Sequence, residues 1–167
     1  MKYCELCGSE CSSTGNRSEC KSCGGIFYVN PRGATALLLF DKQGRLVLGR
    51  RAINPHVNKL DCIGGFVDVG ENFEQGMLRE LEEESGLTGE DITGLKYLGS
   101  TYDPYEWQSR DVPVVSVYFT ARLRSDSKLV ASDDIASFET INIENLVRED
   151  VAWDGMWKML QLLKDKS

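Results

Sequence analysis

Between Asn72 and Gly86 the apolar spacing becomes that of a helix, and this segment limits the fold more than any other. Phe73, Met77 and Leu81 recur every four residues with Leu78 alongside, and Gly86 supplies a C-terminal stop. From Glu71 to Gly86 six acidic residues (Glu71, Glu74, Glu80, Glu82, Glu83 and Glu84) face one basic residue, Arg79. Like charges four apart, as in Glu80 and Glu84, cost about 0.2–0.5 kcal/mol per pair. Negative charge in the last turn also opposes the helix dipole. As pure structure the arrangement is electrostatically poor.

A divalent cation resolves the conflict. Glu80, Glu83 and Glu84 stand at i, i+3 and i+4, so all three can project to one side while Phe73, Met77 and Leu81 pack. Several carboxylates together with no lysine nearby suit hard cations such as Mg²⁺ or Mn²⁺. Gly64 and Gly65, ahead of the helix, permit close backbone approach, so a carbonyl there can add a ligand. The bland alternative is a solvated acidic face.

Around this helix the chain reads as a mixed sheet with flanking helices, an α/β (α+β) layer architecture. Ala34 to Phe40 and Arg45 to Arg50 are β-like runs joined by Asp41-Lys42-Gln43-Gly44, a hairpin signal. Leu60 to Val67 is extended but interrupted at Gly64-Gly65, and Leu95 to Tyr102 and Val112 to Leu123 read as further strands. Ile143 to Arg148 and Trp153 to Lys164 read as helices, the second with an apolar stripe of Met156, Met159, Leu160 and Leu163.

The first 29 residues are different in kind: polar, Gly/Ser-rich and too poor in apolar residues for a core. Five of the six cysteines lie within the first 23 residues. Cys4-x2-Cys7 and Cys20-x2-Cys23 each put two thiolates on one tight turn, and two such turns complete a tetrahedral four-sulfur site. Gly8 and Gly24 follow the second cysteine of each pair. The spacing predicts a structural Zn²⁺ ribbon over residues 1–29, with Asn30-Pro31-Arg32-Gly33 as the boundary and the second domain over 30–167. Free thiols in a tail would leave the segment without a source of stability. Cys11 is off-pattern, Cys62 reads as core, and His56 as a surface loop residue.

The net charge of −7 argues against a dedicated nucleic-acid binder, which needs Lys and Arg to neutralise phosphates. It leaves open a polyphosphate held through cations. No apolar run approaches the roughly 20 residues of a membrane span, and the expectation is a cytoplasmic protein.

The order of residues is more specific than their composition. Gly65 is followed by five residues, Glu71, seven residues, then Arg79-Glu80-Leu81-Glu82-Glu83-Glu84-Ser85-Gly86-Leu87. This resembles the signature of the Nudix hydrolases (MutT-like). The resemblance implies a loop–helix–loop within an α/β/α sandwich, and hydrolysis of a nucleoside diphosphate linked to another moiety. It further implies that Glu80, Glu83 and Glu84 bind the metal and that Arg79 orients Glu80. Glu71 would then support the loop or an outer metal shell, and the Gly64 or Gly65 carbonyl would complete the coordination. In such enzymes the general base is either the glutamate of the Arg-Glu pair, here Glu80, or an acidic residue on a later loop. Asp133, Asp134 and Glu139 are the candidates for the latter.

Other candidates concern the substrate. Arg50 or Arg51, at a strand end, would touch phosphate or serve as structural charges. Phe66, Tyr102, Tyr105 and Trp107 would stack on a base or serve as strand and core aromatics. A zinc ribbon ahead of such a domain resembles the NADH pyrophosphatase branch, but Ser100-Thr101-Tyr102-Asp103-Pro104-Tyr105-Glu106-Trp107 stands where that branch carries Ser-Gln-Pro-Trp-Pro-Phe-Pro. The leading expectation is therefore a pyrophosphohydrolase of ADP-ribose or a related nucleotide sugar. NAD(H) or NAD-cap cleavage is the second reading. A non-catalytic nucleotide sensor whose ribbon binds a partner is the third. A homodimer is expected by analogy.

Overall fold

The computed structural model describes residues 2–107, 110–125 and 129–165. The chain divides into two compact units, Met1–Pro31 and Arg32–Ser167. In the first, β1 (Cys11–Thr14), β2 (Arg17–Cys20) and β3 (Ile26–Tyr28) form an antiparallel sheet in that order. Among the described residues of this unit, only Cys4, Ser18 and Cys20 are buried. Three buried residues do not make a hydrophobic core.

The second unit is organised by β4 (Arg32–Phe40), whose run from Ala36 to Leu39 is buried on both faces. Its residues alternate between two cores. Leu37 and Leu39 pack with Met77 and Leu81 of α1 (Phe73–Ser85), whereas Ala36 and Leu38 pack with Met156, Met159 and Leu160 of α2 (Asp154–Lys164). The sheet therefore lies between two helices, as an α/β/α sandwich requires. Each fully buried Met or Leu in these clusters is worth about 2–5 kcal/mol against truncation to alanine.

The strands around β4 are β5 (Leu46–Arg51), β6 (Leu60–Asp61), β7 (Ile92–Trp107), β8 (Arg110–Leu123) and β9 (Ile135–Ile141). The sheet order is β6-β5-β4-β8-β7, with β9 paired to β5. It is mixed: β4 and β8 run parallel, and the other pairs are antiparallel. Parallel pairing begins at Arg32–Val114, so Pro113 lies beyond the stretch where β4 needs its missing N–H.

Three elements depart from the sequence expectation. Ile143 to Arg148 is not a helix but parts of two 3₁₀ turns, Ile143–Asn145 and Arg148–Asp150, each a single turn. Leu60 to Val67 is a strand only at Leu60–Asp61. Past it, Ile63 and Phe66 make single bridges to Leu37 and Ala34, because the Gly64-Gly65 backbone leaves the ladder. Finally, β9 was not anticipated, since its buried and exposed positions do not alternate and its place comes from pairing with β5. No helix among the described residues is long and apolar enough to cross a membrane.

Candidate active site and cysteine cluster

The acidic helix is closed at both ends by its own sequence. Asn72 accepts from Gln75 N–H at 2.8 Å while Gln75 accepts from Asn72 N–H at 2.9 Å, and Gly86 ends the helix at φ 70°. Within this frame Arg79 organises the loop before the helix. Its guanidinium donates to both oxygens of Glu71 (2.9 and 3.1 Å), to Glu80 Oε1 (2.8 Å), to Glu83 Oε2 (2.9 Å) and to the Phe66 carbonyl (2.9 Å). Glu71 also accepts from Asp68 N–H at 3.0 Å, and its contacts with Arg79 hold its carboxyl below the usual range.

The two glycines differ in what a side chain would meet: backbone at Gly64, the end of the Glu80 side chain at Gly65. Gly64 has φ 149°, and a Cβ there would lie 2.1 Å from the Thr35 carbonyl oxygen. A Cβ on Gly65 would lie 2.4 Å from Glu80 Oε1. Gly64 N–H donates to Glu84 Oε2 at 3.0 Å, and the Gly65 carbonyl accepts from Thr35 N–H. Of the two carbonyls, that of Gly64 is thus the better placed for a cation.

Glu80 and Glu84 are buried, whereas Glu83 is exposed. Burial pushes Glu84 up to about 8, opposed by the Gly64 N–H and reinforced by Asp61, Glu80 and Asp134. Glu80, Asp61 and Asp134 are also raised, in each case chiefly by burial. Neighbouring carboxylates add to the effect of burial at Glu80, Glu84 and Asp134, whereas Arg51 opposes it at Asp61. Glu80 and Glu83 lean to Arg79 and Glu84 to Gly64, so the three carboxylates are less tightly gathered than the cysteine thiolates described below.

A loop after β8 closes over the last turn of α1. Val130 N–H donates to the Ser85 carbonyl (3.0 Å) and Ser132 N–H to the Glu84 carbonyl (3.1 Å). This brings Asp133 and Asp134 toward Glu80 and Glu84, with Asp133 turned out at φ 53°. Glu139 lies elsewhere, paired with Arg50, whose guanidinium also reaches the Asn58 carbonyl.

Beside the carboxylates opens a cleft of about 150 Å³, lined in part by Ala34, Ala36, Val114, Ser116 and Asp134. Phe66, Tyr105 and Trp153 form an aromatic wall: Tyr105 lies 5.7 Å from Phe66, edge to face, and 5.5 Å from Trp153 at 32°. Arg51 also lines the cleft, whereas Tyr102 is 62% exposed and does not. The Trp107 side chain lies outside the described part of the structure. Sequence reasoning missed Trp153 and Asp61, which line the cleft and meet across 92 residues of chain, a separation that no local pattern signals.

In the first unit Cys4, Cys7, Cys20 and Cys23 bring their sulfurs within 4.8 Å of one another, and they are the one such metal-holding group among the described residues. The separations include 3.6 Å (Cys4–Cys23), 3.5 Å (Cys7–Cys20) and 3.6 Å (Cys7–Cys23), and none of the four is in a disulfide. Four thiolates about 2.3 Å from a central ion stand roughly 3.8 Å apart, so the spacing fits a tetrahedral site. The two knuckles repeat each other: Gly8 N–H donates to the Cys4 carbonyl at φ 72°, and Gly24 N–H to the Cys20 carbonyl at φ 69°. The N–H groups of Cys23 and Ser22 lower the Cys20 thiol to about 6, whereas at Cys23 the Gly25 N–H is outweighed by the thiols of Cys20, Cys7 and Cys4, which raise it to about 12, so Cys20 is the readier thiolate of the two. Cys11 stands outside the group, and Cys62 is buried in the α2-side core.

Sandwich, loop and acidic helix together define an α/β/α protein with a carboxylate-rich loop–helix at the mouth of a cleft. The NUDIX domain pattern matches residues 29–163, and the chain belongs to the NUDIX family. It is 30% identical over 119 residues to an ADP-ribose pyrophosphatase of Methanocaldococcus jannaschii, covering 71% of this chain and 66% of that protein. It is 31% identical over 104 residues to the NAD-capped RNA hydrolase NudC of Haemophilus influenzae strain PittGG, covering 59% of this chain but only 38% of NudC. In fold it is similar to a NUDIX hydrolase from Nitrosomonas europaea (TM-score 0.69, 24% identity, 98% of this chain and 89% of that one). It is also similar to the NUDIX domain of Shewanella oneidensis NrtR complexed with ADP ribose (TM-score 0.66, 17% identity, 82% and 88%).

Proposed function

We propose that this chain is a divalent-cation-dependent pyrophosphohydrolase that splits the diphosphate of a nucleoside diphosphate linked to a second moiety, with ADP-ribose or a related nucleotide sugar as substrate. The observation that carries this reading is the pair of buried carboxyls Glu80 and Glu84, with the half-buried Asp134 near them, beside a cleft walled by aromatic rings. Such a site wants cations, and cations beside a ring-lined cleft suit a phosphorylated nucleoside.

Glu80, Glu83, Glu84 and the Gly64 carbonyl would hold Mg²⁺ or Mn²⁺, which would neutralise the diphosphate and acidify a water. Arg79 keeps Glu80 oriented through its 2.8 Å hydrogen bond and offsets part of the cost of burying its charge. Asp134 is the general base we favour, because partial burial raises it above the usual aspartate range and it lines the cleft, whereas Glu80 is engaged by Arg79 and Glu139 by Arg50. Water attacks phosphorus, the bridging P–O bond breaks, and Asp134 takes the water's proton. The products are a mononucleotide and the phosphorylated second moiety. Arg51 supplies positive charge at the cleft wall, and Phe66 and Tyr105 meet the base.

A second substrate reading, NAD(H) or NAD-capped RNA, draws on the similarity to NudC. The net charge of −7 opposes an RNA partner. For the first unit we propose a structural Zn²⁺ in the Cys4–Cys7–Cys20–Cys23 site. The deciding experiment incubates the protein with ADP-ribose, NADH, diadenosine polyphosphates and nucleotide sugars plus Mg²⁺ or Mn²⁺, and follows mononucleotide release. Turnover of ADP-ribose is expected to lead the panel. Tight binding with no turnover anywhere would replace the hydrolase by a nucleotide sensor.

A further inference from the structure

Asp61 is 6% exposed and Arg51 7%, and the two form a buried ion pair at 2.9 Å. The same carboxylate oxygen, Oδ2, accepts the indole N–H of Trp153 at 2.7 Å, while Oδ1 accepts the Cys62 N–H at 2.9 Å. Arg51 donates onward to the Pro55 carbonyl at 2.8 Å, and its guanidinium lies 5.3 Å from the Trp153 ring centre. The edge of His56 meets the same ring at 4.7 Å, and Tyr105 lies against it at 5.5 Å. One carboxylate thus ties together the charged and the aromatic walls of the cleft.

A buried ion pair is a weak source of stability, because desolvation of both charges offsets their attraction. Apolar side chains of the same size would hold β5 to β6 as well. What they would not do is fix the plane of an indole through its N–H, or keep a guanidinium in an apolar cleft. We propose that Asp61 is a positioning residue, locking Trp153 and Arg51 into a rigid wall against which the planar base of a nucleoside diphosphate derivative packs. Trp153 is then a specificity-determining residue for base-bearing substrates. The proposal rests on the cleft being the substrate site, and it adds how its shape is maintained. A wall ordered before the ligand arrives loses little conformational freedom on binding.

The test follows the indole N–H resonance of Trp153, assigned by its loss in Trp153→Phe, while ADP-ribose or ribose 5-phosphate is added without divalent cation. ADP-ribose is expected to shift the resonance saturably, and ribose 5-phosphate, which has no base, to leave it in place. Asp61→Leu is expected to raise the KM for ADP-ribose roughly tenfold with kcat within about twofold, and Asp61→Asn, which keeps an acceptor for the indole, to restore most of the loss. If Asp61→Leu does not fold, Trp153→Phe decides, since it removes the donated N–H and leaves Asp61–Arg51 intact. Affinity equal to wild type in that variant would overturn the proposal. So would turnover of ADP-ribose with the Trp153 resonance unmoved, which would leave the hydrolase reading standing. A moving resonance without turnover would do the reverse.

Discussion

Replacing Glu84 by glutamine separates what this side chain does for chemistry from what it costs the fold. Burial lifts its carboxyl from an ordinary 4.5 to about 8. Between those values the native chain binds a proton that the unfolded chain does not, so stability is full below about pH 4.5 and falls as pH rises toward 8. Each tenfold change in proton affinity is worth about 1.4 kcal/mol, so relative to low pH the metal-free fold loses about 3 kcal/mol by pH 7, where Glu84 must still hold its proton, and about 5 above pH 8, where it is ionised. Glutamine keeps an oxygen to accept the Gly64 N–H and carries no charge to desolvate. In EDTA at pH 8, Glu84→Gln should therefore be more stable than wild type by several kcal/mol, the two converging near pH 5, as read by urea unfolding. Mg²⁺ should raise the wild-type midpoint and scarcely move the variant's, and hydrolysis should be abolished. Stability equal to wild type within about 0.5 kcal/mol from pH 5 to 9 would refute the reasoning, because surface substitutions behave that way.

Three further outcomes are expected. Gly65→Ala places a methyl group 2.4 Å from Glu80 Oε1, so the carboxylate must move; kcat should fall by roughly tenfold or more while stability changes by less than about 1 kcal/mol in thermal unfolding. Asp134→Asn should lower kcat by roughly a hundredfold with little change in KM and erase the acid limb of the pH profile. In wild type that limb should lie above the usual aspartate range, because burial raises Asp134, and activity should be lost as pH falls through it. Replacing Cys20 and Cys23 together by serine should release about one zinc per chain by metal analysis and collapse the amide dispersion of residues 2–31, with the unfolding midpoint of the remainder unchanged.

Legibility in the sequence followed how local each constraint is. The acidic helix was readable because a four-residue apolar period and a stop at Gly86 both act within a few turns; the capping pair of Asn72 and Gln75 emerged only with the structure. The two cysteine knuckles were readable because each pair lies on one turn with its own glycine. Expected and observed positions parted where pairing or burial across the fold decided. The segment 135–141 becomes a strand through β5, and 143–148 lacks the length to close more than single turns.

The same division runs through the cleft. The sequence by itself determined the chemistry available: carboxylates spaced for one helix face, an arginine among them, and thiols spaced for a tetrahedron. Only the tertiary structure decided which acidic residues of the later loop reach that face, bringing Asp133 and Asp134 over α1 through the Ser85 and Glu84 carbonyls and leaving Glu139 to Arg50. It alone joined Asp61 to Trp153, and it alone lifted the proton affinity of Glu84. The physical reason is that residue order sets which groups are neighbours along the backbone, whereas burial and the partners met across the sheet set what charge those groups can carry.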